Sequence, residues 1–340
     1  MATDPGLRRM RCAVGVAGEC QVPWEMRPGP IVRGLLTYVP GTGLRADRDT
    51  GHRAEAGYFY ELWIKHLTLA VHHGMPRIPR VVAELGPGDS IGAGLSALLS
   101  GATTLYALDT TPYTSLRGNV DLFDELVEMF GRRAPRPAAG WPDYDQWLDD
   151  DLFPSHILTD ELLDRTLAPA RVATIRRALL EGGEADDVSI RYVAPWQDAS
   201  HVAEGTVDFL FSHTVLQHVA DLPGTQRCVG QWLAPGGWFS HQIDLGSLNL
   251  SPVWNGHRAC PEWLWKVVTG RRAWLINRLP YSEHVACIEG NGMQLVTALQ
   301  RHRRDGIGRE RLAPRWRDLS DDDLFCRGAF LQGVRVDDGG

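Results

Sequence analysis

The segment at residues 81–92, Val-Val-Ala-Glu-Leu-Gly-Pro-Gly-Asp-Ser-Ile-Gly, constrains the fold more than any other part of this chain. It is a short apolar run that contains an acid, Glu84, and leads into a glycine turn and the start of a helix. A parallel sheet presents a ligand to a helix N-terminus in this way. A second apolar run, residues 103–108, is followed at once by Asp109. An acid at the end of the second strand lies where a ribose would present its two hydroxyl groups.

A nicotinamide or flavin dinucleotide fold is the main alternative for such a turn. Its fingerprint contains three glycines, and the third lies three residues after the second. Gly86 and Gly88 match the first two, but Ile91 occupies the third position and the next glycine is Gly92. The spacing therefore argues against a dinucleotide, while the turn by itself is weak evidence for any ligand.

Three later segments extend the pattern. Residues 207–212 indicate a buried strand, residues 213–219 a helix that ends in Leu-Gln-His-Val, and a Leu-Ala-Pro-Gly-Gly turn precedes a strand at 238–244. With the earlier segments, and in this order, the chain resembles the class I S-adenosylmethionine-dependent methyltransferases over roughly residues 78–245. Residues 84–92, 153–160 and 276–279 also resemble a bacterial branch that methylates sugars and secondary metabolites. Gln217 stands where that branch commonly has Glu.

The resemblance implies an α/β fold with a Rossmann-like sheet of seven strands, the last antiparallel, and helices on both faces. Residues 1–77 are expected to form an N-terminal extension and a covering helix, because apolar residues recur at helical spacing between 54 and 71. Residues 78–340 would form the methyltransferase domain. About 80 residues separate Asp109 from the next strand at 188–193, far more than a crossover needs. We therefore expect an insertion between strands two and three, at about 112–186, that acts as a substrate lid.

The resemblance also implies a cofactor site. Backbone N–H groups of residues 86–90 suit the tail carboxylate of S-adenosylmethionine, Glu84 its ammonium group, and Asp109 its ribose. The resemblance places Asp198, after strand three, against the adenine. The alternative for Asp198 is the N-cap of a helix, and the alternative for Glu84 and Asp109 is that each caps a turn. The predicted cofactor-binding residues are Glu84, Gly86, Pro87, Gly88, Ser90, Asp109, Gln197, Asp198 and Ser212.

Methyl transfer is an in-line displacement at carbon, so alignment of the acceptor supplies most of the catalysis, and a base helps only where the acceptor holds a proton. The candidate catalytic residues are His213 after strand four, Asp244 on strand five, and His218. A structural role is the alternative for each histidine, because the chain contains 12 of them. No metal site is expected, since the six cysteines include no Cys-x-x-Cys pair.

The predicted acceptor site lies in the insertion. Residues 141–164 contain eight acids and no Lys or Arg, with aromatic residues between them. Flat aromatic faces beside carboxylates suit a cationic aminosugar, whereas a solvated acidic turn is an equal alternative. The predicted substrate-binding residues are Trp141, Asp143, Tyr144 and Asp145.

Charge and hydropathy exclude other classes of partner. The net charge is −7, and acids interrupt the basic run at 301–311, which argues against nucleic acid. No segment approaches the ~20 apolar residues of a membrane span, and a cytoplasmic location is expected. The sequence leaves open whether the chain forms a homodimer.

We therefore predict transfer of a methyl group from S-adenosylmethionine, with S-adenosylhomocysteine as product, to an amino or hydroxyl group of a sugar or aminosugar. The expected setting is antibiotic biosynthesis of the aminoglycoside type. One alternative is O-methylation of a surface-polysaccharide sugar, and another is a regulator that binds the cofactor without turnover.

Overall fold

The computed structural model describes residues 25–40, 55–137, 140–196, 198–272 and 275–336. Within these ranges the helices are α1 (Pro28–Leu36), α2 (Ala56–His72), α3 (Gly92–Leu99), α4 (Val120–Gly131), α5 (Asp160–Thr166), α6 (Pro169–Leu180), α7 (Leu222–Trp232), α8 (Glu262–Thr269), α9 (Tyr281–Glu289) and α10 (Asp321–Phe325). The strands are β1 (Val81–Leu85), β2 (Thr104–Leu108), β3 (Glu184–Ala185), β4 (Val188–Val193), β5 (Val207–His213), β6 (Leu233–Asp244), β7 (Met293–His302) and β8 (Cys326–Arg335).

The described strands form one sheet in the order β3-β4-β2-β1-β5-β6-β8-β7. Strands β4, β2, β1, β5 and β6 are parallel, while the last strand, β8, runs antiparallel to both β6 and β7. The sheet has eight strands instead of the predicted seven, because the two-residue strand β3 pairs with the edge of β4. The strand order reverses at β1, which lies between β2 and β5, and ligands of open α/β sheets bind at such switch points.

Helices cover both faces of the sheet, as predicted. Successive side chains of a strand point to opposite faces, so Phe209 and Phe211 of β5 pack with α2 while Leu210 packs in the core on the other face. The Trp63 ring lies 6.0 Å from the Phe209 ring and 5.8 Å from the Phe211 ring. Strand β5 is therefore buried on both sides, which explains why its sequence is nearly all apolar.

The segment between β2 and β4 belongs largely to this helical layer. Phe123 and Phe130 of α4 and Ile175 of α6 are fully buried in the same core as α2. Thr159 caps α5 by accepting a hydrogen bond from the Leu162 N–H at 3.3 Å, and Pro169 begins α6. Helices α4 and α6 thus complete one face of the sheet.

The predicted helix at 213–219 is wrong in length. Only Leu216–His218 forms a single 3₁₀ turn. Thr214 has φ +55°, outside the right-handed region, and its N–H donates to the carbonyl of Gln242 as in a sheet. The chain therefore turns sharply after β5 before any helix begins. Elsewhere, no described helix combines the length and apolar character of a membrane span.

Candidate active site

Two acids meet at the carboxyl ends of β1 and β2. Glu84 is 4% exposed and Asp109 is 5% exposed. The Gly94 N–H donates to Glu84 Oε2 at 3.1 Å, while the Gly88 and Thr110 N–H groups donate to the two oxygens of Asp109 at 2.9 and 2.7 Å. The sheet register brings these acids together, because β1 and β2 are neighbouring parallel strands that end in step.

Burial dominates the electrostatics of this pair. It raises the pKa of Glu84 to about 8, and the charge of Asp109 adds to that rise. Burial also raises the pKa of Asp109, although the N–H groups of Gly88 and Thr110 oppose the change. In the described part of the chain, no Lys or Arg forms an ion pair with either carboxylate. The described residues therefore supply no counterion to these two buried carboxyl groups.

The glycine turn after β1 requires glycine at two positions. Gly86 and Gly88 both have φ +68°, and a Cβ on Gly86 would lie 2.5 Å from Cγ2 of Val215. Buried Pro87 lies between them. The Gly86 N–H donates to the Leu108 carbonyl at 2.8 Å, and Pro87 has no N–H. The Gly86 and Gly88 N–H groups thus bond within the protein, and the predicted contact of residues 86–90 with the tail carboxylate stays a prediction.

Asn119 organises the start of α3, a role that the sequence analysis missed. Its Oδ1 accepts from the Ser90 hydroxyl at 2.6 Å and from the Ile91 N–H at 3.1 Å. Ser90 Oγ in turn accepts from the Gly92 N–H at 3.1 Å. Asn119 comes from the segment after β2, 29 residues from Ser90. No local pattern signals such a contact. Ser90, a predicted cofactor ligand, donates its hydroxyl hydrogen to Asn119 in this structure.

The end of β5 brings His213 to the same edge of the sheet. Its Nδ1 lies 3.4 Å from Nε2 of His66, and its ring lies 6.2 Å from the ring of Tyr58, both residues of α2. Burial raises the pKa of Tyr58 to about 12, and the charge of Glu84 adds to that rise. Tyr58 is thus a second residue that the sequence analysis missed, and it lies near both an acid and the candidate histidine.

Two other predicted residues have partners within the protein. Ser212 is fully buried, and its hydroxyl lies 2.9 Å from Nδ1 of His241. Asp244, at the end of β6, forms an ion pair with Arg327 and accepts from the Gly246 N–H at 2.7 Å. Ser212 is therefore an interior residue of the sheet and Asp244 pairs with Arg327, and the predicted roles of both residues stay predictions.

His218 and Asp198 lie in different surroundings. Burial lowers the pKa of His218 to about 4, so this residue is neutral at neutral pH. Asp198 is exposed and accepts from the Ser200 N–H at 2.9 Å, which lowers its pKa and matches the helix N-cap alternative. Gln197 lies outside the described residues.

The acidic segment packs on the protein instead of presenting an open aromatic face. Tyr144 is fully buried, and its hydroxyl donates to Oε2 of Glu61 at 2.9 Å. The guanidinium of Arg136 lies 4.2 Å from the centre of the Tyr144 ring. Arg136, with 2% of its side chain exposed, pairs with Asp145 at 2.5 Å and with Asp143 at 3.5 Å. Asp143, Tyr144 and Asp145 thus surround a buried arginine, and their role in binding a substrate stays a prediction.

Trp141 is the predicted substrate residue that lies near the site edge. It is partly buried against the core, and its ring lies 3.7 Å from where a Cβ on Gly328 would be. Gly328 pairs with Asp244 at the carboxyl end of β6. Trp141 is thus at the edge where the ends of the parallel strands meet. No cluster of three metal-binding side chains occurs among the residues with described positions.

No family model and no curated protein matches this chain. Solved structures similar to it include the putative methyltransferase bound to the Trm112 activator from Haloferax volcanii, with 17% identity, TM-score 0.40 and coverage of 84% of this chain and 96% of that one. Phosphoethanolamine N-methyltransferase 2 from Haemonchus contortus shows 14% identity, TM-score 0.41 and coverage of 86% of this chain; this chain spans 60% of that protein. Geranyl diphosphate C-methyltransferase from Streptomyces coelicolor shows 12% identity, TM-score 0.40 and coverage of 82% and 76%.

Proposed function

We propose that this protein is an S-adenosylmethionine-dependent methyltransferase that acts on a small molecule. One observation carries the proposal: the buried carboxylates of Glu84 and Asp109 lie together at the switch point of a parallel sheet, with no basic partner in the described chain. A buried carboxylate without a counterion favours a cationic or hydroxyl-rich ligand. S-adenosylmethionine has an ammonium group, a sulfonium and two ribose hydroxyls.

The two acids differ in the part of the cofactor that they suit. Glu84 is the more deeply desolvated, with its pKa raised to about 8, and a bound ammonium group would restore its charged form. Asp109 accepts the Gly88 N–H on Oδ2 and the Thr110 N–H on Oδ1, and a carboxylate has about four acceptor sites in all, so it can also accept from the ribose. We therefore assign Glu84 to the tail ammonium and Asp109 to the ribose.

The cofactor supplies an electrophilic methyl group, and this chain supplies alignment of the acceptor. Tyr58 and His213 lie side by side at the carboxyl edge of the sheet, and the charge of Glu84 acts on Tyr58. Trp141 lies at the same edge, beside Gly328. An acceptor that is bound in line with the methyl group reacts faster, because its orientation is fixed before methyl transfer. These three residues are the proposed acceptor contacts.

For the acceptor we propose a hydroxyl or amino group of a sugar or aminosugar. The support is the sequence resemblance at 84–92, 153–160 and 276–279 to bacterial sugar and secondary-metabolite methyltransferases. The pairing of Asp143 and Asp145 with Arg136 reduces the charge available to attract a cation. Rates with matched neutral and amino sugars, at low and high salt, decide between the two acceptor classes, since attraction to exposed acids is screened by salt.

Titration calorimetry with S-adenosylhomocysteine is the first test, followed by a mass-spectrometric search for methylated acceptors. We expect binding of the nucleoside and methylation of at least one sugar. Absence of nucleoside binding overturns the proposal. Binding without turnover on any acceptor supports the alternative of a cofactor-binding regulator.

A further inference from the structure

A buried chain of hydrogen bonds connects His213 to the far end of α2. His66 Nε2 lies 3.4 Å from His213 Nδ1, and His66 Nδ1 lies 2.6 Å from Ser240 Oγ. Gln332 Nε2 lies 2.9 Å from the same Ser240 oxygen, and Gln332 Oε1 lies 2.8 Å from Nδ1 of His73. His66, Ser240 and Gln332 are each fully buried. Three interior side chains, from α2, β6 and β8, are therefore linked in series to His213.

The backbone determines the orientation of the Gln332 amide. Its Nε2 lies 3.1 Å from the carbonyl oxygen of His66, which can only accept a hydrogen bond. The NH₂ group must therefore face that carbonyl, because the flipped amide would place two oxygens against each other. The second N–H of the same group then points at Ser240 Oγ.

The direction of each following hydrogen bond depends on this amide. Ser240 Oγ accepts from Gln332, and the one acceptor for its own hydrogen among the described residues is His66 Nδ1. Burial, together with His213, Lys65 and His241, lowers the pKa of His66 well below its ordinary value, so its ring is neutral. A neutral ring that accepts at Nδ1 carries its hydrogen on Nε2. His66 therefore donates to Nδ1 of His213.

We infer that Gln332, Ser240 and His66 are positioning residues that hold neutral His213 as its Nε2–H tautomer, with Nδ1 accepting from His66. In this state His213 presents an N–H donor at Nε2 and is not a base there. The inference rests on the proposed function only for what this donor contacts; the tautomer itself follows from the hydrogen bonds.

The tautomer changes the role of His213 from the one expected from sequence. A donor at Nε2 suits an oxygen of the acceptor beside the reacting group, and it orients the acceptor without removing its proton. Catalysis would then depend on alignment. The buried network has a second effect: it keeps the ring of His213 in one orientation through its bond to His66.

The test is the tautomer of His213 in the full-length protein. Long-range ¹H–¹⁵N spectra of protein labelled with [¹⁵N]histidine distinguish a protonated from an unprotonated ring nitrogen, and His213→Asn identifies the His213 signals by their loss. We expect the Nε2–H pattern for both His213 and His66 at pH 7–8. A His213 ring protonated on Nδ1, alone or with Nε2, overturns the inference.

Two serine variants test the cause. Ser240→Ala removes the hydroxyl that donates to His66, so we expect the His66 and His213 patterns to shift toward the Nδ1–H form. Ser96→Ala is the matched control: Ser96 is equally buried and donates to the Gly92 carbonyl at 3.0 Å, and its loss should leave both patterns unchanged. Unchanged patterns in Ser240→Ala contradict the inference. If that variant fails to fold, the wild-type spectrum still decides. None of these spectra depends on methyl transfer, so the tautomer inference and the proposed function can each fail without the other.

Discussion

The N–H of Gly88 donates to Oδ2 of Asp109 across 2.9 Å, so the turn after β1 and the end of β2 are held together. The pairing of Leu85 with Leu108 places the residues after both strands side by side. Because this bond uses only one of the roughly four acceptor sites of the carboxylate, Asp109 can organise the turn and still accept from a ligand. This dual role sets the first prediction.

Asp109→Ala should weaken binding of S-adenosylhomocysteine by about tenfold or more, because the ribose loses a charged acceptor and hydrogen bonds to charged groups contribute about 1.5–3 kcal/mol. Titration calorimetry measures the change. Asp208→Ala is the control, since Asp208 also accepts from two backbone N–H groups, of Arg80 and Val81 at 2.9 Å, but at the start of β1. An unchanged Kd for Asp109→Ala removes the ribose assignment.

NAD and NADP should not bind at ordinary concentrations. Ile91 stands at the third-glycine position of the dinucleotide turn, and its side chain is fully buried. Fluorescence titration with both reduced nucleotides checks this expectation, with S-adenosylhomocysteine as the positive ligand. Tight binding of either dinucleotide would contradict the proposed cofactor.

Binding of S-adenosylhomocysteine should release about one proton near pH 7. The pKa of Glu84 is raised from 4.5 to about 8, so its carboxyl is protonated in the free protein at pH 7, and the tail ammonium favours the charged form. Calorimetry in buffers of different ionisation enthalpy measures the proton count. Glu84→Gln should abolish the release; an equal release in that variant excludes Glu84 as its source.

Glu84 also contributes to the pH dependence of stability. A raised pKa means that the folded state binds more protons than the unfolded state between about pH 4.5 and 8. This contribution is fully present below pH 4.5 and is lost as the pH rises through about 8. Glu84→Gln should therefore flatten the fall in the free energy of unfolding over that window, as followed by urea titration.

Asp145→Asn should lower the free energy of unfolding by about 1–3 kcal/mol, because the buried Arg136 loses its nearest charged partner. Asp150→Asn changes an exposed acid of the same segment and should cost less than about 0.5 kcal/mol. Denaturant titration compares the two variants. Equal stability of the two variants would mean that the ion pair between Arg136 and Asp145 contributes nothing to the fold.

Much of the sheet could be predicted from the sequence. The runs at 81–85, 104–108, 188–193 and 207–213 are each bounded by turn residues, and local apolar patterns of this length identify buried strands. The helix predicted between residues 54 and 71 agrees with α2 to within two residues at each end, because its apolar residues recur at helical spacing. Glu84 lies near the end of the first of these strands and Asp109 directly follows the second. Neighbouring parallel strands end on the same side of a sheet, so the sequence places both acids at one edge. The two-residue strand β3 carries no such pattern.

The sequence by itself therefore determined where the main strands lie along the chain and which two acids stand at their ends, because both follow from patterns within about ten residues. The tertiary structure alone decided what the other polar groups contact. Tyr144 reaches Glu61 across 83 residues, and Gln332 reaches His66 across 266. Hydrogen-bond partners so far apart share no spacing along the chain; they meet only after the helices have packed on the sheet, and burial then forces each polar atom to find a partner.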